Sequence, residues 1–133
     1  MNYIDLVFKE DRLCGEKDKL WNEWNKLNKE AREAWLNKKY AKSQRDQAKR
    51  ELHELHREKE KFLKDKSEFY DLTELNSRIK VAHQIWEETK EHYDEAEAEF
   101  LRLDDERAKK RAVFNQKHNE WKEAKAQMDN YSP

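Results

Sequence analysis

Glycine, proline and cysteine are nearly missing from this chain, each occurring once in 133 residues. Tight turns and phosphate-cradling loops draw on glycine for positive φ and on proline for a fixed φ, so a turn-rich sheet fold or a glycine-rich nucleotide site has no material here. A single cysteine, Cys14, closes no internal disulfide, and no basic segment followed by a signal-like apolar run opens the sequence. Both features fit a reducing, cytoplasmic setting. No apolar stretch approaches the roughly 20 residues that span a bilayer, so no membrane partner is expected. An excess of one charge is also lacking. The 29 Lys and Arg stand against 30 Asp and Glu, a formal charge of -1, and exert no net pull on nucleic acid or an anionic surface.

What the chain does have is charge and aromatic side chains. Charged residues make up 44% and hydrophobic ones 35%, too few apolar groups for a thick core but enough for a thin seam between helices. Five Trp, five Tyr and five Phe are more than a disordered segment carries. The expectation is an all-α fold.

Periodicity sharpens it. From Leu72, alternating steps of three and four visit Leu72, Leu75, Ile79, Ala82, Trp86, Thr89, Tyr93, Ala96, Phe100 and Leu103, become polar at Arg107 and Lys110, and resume at Phe114, Trp121 and Ala124. The first half has the same rhythm through Leu20, Trp24, Leu27, Ala31, Ala34, Ala41, Ala48, Leu52, Leu55 and Phe62. Two heptad seams of this kind predict a long antiparallel two-helix coiled-coil hairpin. Asp71 and Glu74 form a capping-box pattern at the start of the second helix. The boundaries read as a helix over about 16–67, a turn over about 67–71 and a helix over about 72–130. A reversal there sets Phe69 against Leu72, so that facing residue numbers sum to 141: Ala48 meets Tyr93, and Ala41 meets Phe100. In that register residues 1–9 overhang the second helix.

The overhang contains the most apolar stretch, Tyr3, Ile4, Leu6, Val7 and Phe8. With Gly15 as a hinge, residues 1–15 are expected to form a short separate helical segment packing on the hairpin or on a second copy. Trp21 and Trp35, two heptads apart, share a flank of the first helix, with Leu36, Tyr40, Leu101 and Val113 at similar heights. These residues are the candidate docking surface for a protein partner.

Chemical motifs are weak. His53 and His56 lie three apart in His-Glu-Leu-His, whereas a zincin helix needs them four apart. A surface zinc site from His53, His56 and His83 is the remaining metal option, set against solvated histidines. Cys14 has no histidine near it in sequence to activate it. Carboxylates are interleaved with Lys and Arg, so no pair is isolated for acid–base work, and two helices offer little concavity for a substrate. No catalytic residue, metal, cofactor or small-molecule substrate is expected. The rival is nucleic acid: Arg32, Lys38, Lys39 and Lys42 on the first helix come level with Lys109, Lys110 and Arg111 on the second, with Glu30, Glu33 and Asp104 to Glu106 diluting them.

In outline, the two-helix pattern resembles the stalk and chaperone hairpins of flagellar and type III export and the receptor-binding hairpins of nuclease bacteriocins. That resemblance implies a place in a secretion or bacteriocin system as a further alternative. It rests on architecture and assigns no residue a role. The expectation from the residues themselves is a non-enzymatic adaptor or accessory protein that binds another protein, or a second copy of itself, through its helical surface.

Overall fold

Both halves are built from Ala, Leu, Glu, Lys, Arg and Gln, which lose little freedom in a helix, and the breakers are too few to interrupt it. The computed structural model describes residues 2–65 and 72–131, in which α1 runs Tyr3–Lys64 and α2 runs Leu72–Asp129. No strand occurs among the described residues. Asn2 caps α1 by accepting a 2.9 Å hydrogen bond from the Asp5 backbone N–H. Asp5 in the first turn and Lys61 and Lys64 in the last complement the helix dipole. The turn expected at 67–71 and the cap expected from Asp71 lie outside the described residues.

The chain divides into two compact units, each made from a stretch of both helices. Unit 1 takes residues up to Glu33 and from Leu101 onward; unit 2 takes Ala34–Phe100. Cross-helix contacts fix the register of each. In unit 1 the Tyr3 and Tyr131 rings lie 5.4 Å apart, Trp121 Nε1 donates to Glu10 at 2.8 Å, and the Trp21 and Phe114 rings lie 5.0 Å apart. Lys110 meets Glu23 at 2.7 Å and Arg107 donates to Asn28 at 2.9 Å. These residue numbers sum to 134, 131, 135, 133 and 135. In unit 2, Lys38 over Phe100 and Arg45 over Tyr93 each sum to 138. As numbers rise along α1 they fall along α2, so the helices run antiparallel in each unit. The division at Glu33/Ala34 and Phe100/Leu101 falls on a sum of 134 as well.

The unit 1 contacts centre near 134, one heptad from the 141 that a reversal at Phe69 would give; in unit 2 the two long cations reach rings at a sum of 138, while residues bordering the same grooves, Leu55 with Arg78 and His56 with Ile79, sum to 133 and 135. A shift of seven keeps every seam residue on the seam and changes only its partner, which is why the heptad pattern could not distinguish the two. What the observed register gains is burial at the N-terminus: Leu6 and Leu13 are both buried, Leu13 to 2% exposure. The expected separate segment over 1–15 is instead the first turns of α1, and those turns do not overhang, since Tyr3 reaches Tyr131. Gly15 is no hinge. It sits inside α1, and a Cβ placed there would meet nothing within 4 Å.

The core is thin. Among the described residues its buried apolar side chains are five leucines (Leu6, Leu13, Leu52, Leu75, Leu103) and five alanines (Ala31, Ala34, Ala41, Ala48, Ala124). A register of 134 sets Ala34 against Phe100, Ala41 against Tyr93 and Ala48 against Trp86, so a short side chain accommodates a ring in successive layers of unit 2. Alternation of large and small lets facing side chains fill the layer without forcing the backbones apart.

Candidate functional site

Helix surfaces rather than a cleft carry the candidate residues. In unit 2, Trp35, Leu36 and Tyr40 occupy adjoining turns of α1 with 43%, 60% and 65% exposure. Their polar attachments among the described residues are light: Lys39 Nζ lies 4.2 Å from the centre of the Trp35 ring, and Gln44 donates to the Tyr40 hydroxyl at 3.0 Å. Tyr40 and Leu36 are one turn apart on a single face, so the patch is apolar and continuous over about 6 Å of axial rise.

Unit 1 carries the other candidates. Tyr3, Ile4 and Phe8 are exposed, as are Leu101 and Val113, while Val7 is half-buried. Leu6 is a correction: it is buried in the core and offers no docking surface. The reason is helical phase, because Leu6 and Leu13 are seven apart and occupy the seam, whereas Ile4 and Phe8 fall outside it.

Trp21 differs from Trp35. It stacks on Trp24 at 5.1 Å and meets Phe114, which stacks on His118 at 5.6 Å, which in turn meets Trp121 at 5.7 Å. Five rings thus form one run across both helices of unit 1. Cations lie against it: Arg111 sits 4.9 to 5.4 Å from Trp21, Trp24 and Phe114, and Lys17 lies 4.5 Å from Trp121. Trp21 is therefore partly structural, half covered by its neighbours. His118 belongs to the same run, with its Nδ1 buried and unpartnered among the described residues. Its signal in the sequence was the spacing Phe114, His118, Trp121, steps of four and three.

Two cations of the basic band are paired with carboxylates of the chain. Lys110 pairs with Glu23 at 2.7 Å and Lys109 with Asp105 at 2.9 Å. The hydrogen bond from Lys110 holds the Glu23 carboxyl below its ordinary range, and the bond to Asp105 raises Lys109. Lys38 lies over Phe100, Lys39 over Trp35, and Arg111 over three rings. Arg32 and Lys42 are exposed. Nearby, Lys117 meets a water-excluded oxygen of Glu16 at 3.1 Å as an ion pair, and this contact with Glu16, helped by Glu120, raises the lysine.

His56 and His83 line one open groove of unit 2, but no group of three or more His, Cys, Asp or Glu able to hold a metal is present among the described residues. The trio with His53 does not assemble as a ligand set. Cys14 is half-buried with its Sγ 3.8 Å from Asp18. A second groove in unit 2, about 380 Å³, is apolar on its floor at Ala48, Leu55, Val81, Ala82 and Ile85. No described helix is long and apolar enough to cross a membrane. Compared with protein-family models, curated proteins and solved structures, the chain matches none.

Proposed function

We propose that this protein is a non-enzymatic interaction module, an antiparallel coiled-coil adaptor that works in the cytoplasm and binds a partner protein through the outer surface of its helices. The observation that supports this reading is the exposed Trp35, Leu36 and Tyr40 patch on α1. A chain poor in apolar residues gains nothing for its own stability from leaving three large ones beside each other in water, and such a patch on a soluble surface marks a place where another molecule sits. Aromatic anchors are the residues that carry most binding energy at protein interfaces. Ile4 and Phe8 at the start of α1 offer a smaller apolar edge of the same kind.

Nucleic acid is the weaker alternative, because binding phosphate requires uncompensated cations, while Lys109 and Lys110 are already paired with carboxylates and the chain as a whole has a formal charge of -1. The test is affinity capture with the tagged protein and with a Trp35→Ala/Tyr40→Ala variant whose helicity is unchanged, each with and without nuclease. The proposal expects one protein retained by the parent under both conditions and lost from the variant. Material lost on nuclease treatment instead, or equal retention by the variant, would overturn it.

A further inference from the structure

A stripe on α2 lies beside the seam and matches itself when reversed. Glu74, Arg78, Val81, Ile85, Glu88 and His92 follow one another in steps of four and three, each one residue before a seam position, and all six are exposed. Val81 and Ile85 are 55% and 44% exposed at its centre, and between them and α1 runs the 380 Å³ groove floored by Ala48 and Ala82. Short side chains on that floor leave room for branched ones from outside.

Reversing the stripe against a copy of itself pairs residues whose numbers sum to 166. Arg78 then meets Glu88 of the second copy, Val81 meets Ile85, and Glu74 meets His92. Each pair occurs twice, as a two-fold interface requires. The charges are available for this use. Among the described residues, Arg78 and Glu74 have no ion-pair partner in their own chain, and Glu88 accepts only a long 3.4 Å hydrogen bond from Gln84. From Glu74 to His92 the stripe rises about 27 Å at about 1.5 Å per residue, enough for a helix-on-helix contact. The five leucines and five alanines buried among the described residues make a thin core for two helices, and packing into a four-helix bundle completes an apolar interior.

From the self-complementary charges around the open groove, we propose that the Glu74 to His92 face of α2 is a homodimer interface, packed antiparallel against the same face of a second copy. This goes beyond the adaptor reading and is separate from the α1 patch around Trp35. It leaves that patch free in each copy.

Sedimentation equilibrium on the full chain, 16.4 kDa as a single copy, tests it. The parent protein should reach twice that mass at about 100 µM in low salt. Arg78→Glu or Glu88→Arg alone converts both attractive pairs into repulsive ones and should raise the dissociation constant about tenfold. The Arg78→Glu/Glu88→Arg double variant should dimerise again. So should an equimolar mixture of the two single variants, which would form mixed dimers and which controls for any effect on one chain alone. Circular dichroism confirms that each variant stays helical. A parent protein that remains single at 100 µM, or a dimer indifferent to the single swaps, would overturn the proposal. Because none of these variants touches Trp35 or Tyr40, retention of a partner protein by Arg78→Glu would show that the adaptor reading survives whichever way the dimer test falls.

Discussion

Leu13→Ala tests whether the first turns of α1 belong to the folded core. Leu13 is 2% exposed and sits two turns beyond Leu6 on the same seam. Leu→Ala at buried sites costs about 2–5 kcal/mol, the higher figures coming from rigid surroundings that keep the cavity open. A two-helix seam is open on both sides and can close in or admit water, so the lower part of that range applies, about 2–3 kcal/mol. An unfolding entropy of about 2.1 cal/mol/K per residue gives roughly 0.28 kcal/mol/K for 133 residues, so the melting midpoint should fall by about 9 °C. Phe8→Ala removes a larger side chain from the same turns, but Phe8 is 68% exposed, so the cost should stay within about 0.5 kcal/mol, under about 2 °C. Thermal and urea melts followed at 222 nm read both. If the two variants melt together, the N-terminal turns are not packed on α2 and the register proposed for unit 1 fails.

Two further predictions follow from particular residues. Gly15→Ala should raise stability by about 0.5–1 kcal/mol, because the position is helical, the new methyl meets open space and alanine restricts the unfolded chain; a loss of stability in the same melts would mean the helix is broken there. Glu23→Gln should lower stability at neutral pH and make no difference in strong acid. Lys110 holds the folded-state pKa of Glu23 below its unfolded value, so its contribution is present above the ordinary carboxylate range and disappears as pH falls through the folded value; a gap between parent and variant that persists at pH 2 would refute this.

Much of the fold was readable because a thin seam repeats. Scarcity of glycine and proline, together with steps of three and four, pointed to two helices, and Leu52, Leu75, Leu103 and Ala124 are buried where the steps placed them. The register was not readable from the same signal, since a slip of seven preserves the pattern, and what distinguishes the observed one is the burial of Leu6 and Leu13. Glu51 borders the same groove as Arg78 and Val81, in keeping with the shorter sum. Among the candidate residues, Trp35, Leu36, Tyr40, Ile4 and Phe8 are exposed as an outward-facing position implies, while Leu6 followed the seam inward. The groove at Val81 and Ile85 was visible as apolar residues doubled beside Ala82 and Trp86, a pattern that means an extra face only once the seam positions are assigned.

Disulfide trapping at Ala96 tests the register most directly. In a Cys14→Ser background, cysteine is placed at Ala96 together with either Lys38 or Arg45, whose numbers sum with 96 to 134 and 141. One heptad is about 10.5 Å of axial rise, well beyond the difference a disulfide tolerates between Cα atoms, so only one pair can close without rearrangement. Rapid intramolecular closure of Lys38→Cys with Ala96→Cys, and slow or absent closure of Arg45→Cys with Ala96→Cys, is the expected result. The reverse would restore the 141 register in unit 2 and undo the layers in which Ala34, Ala41 and Ala48 face rings.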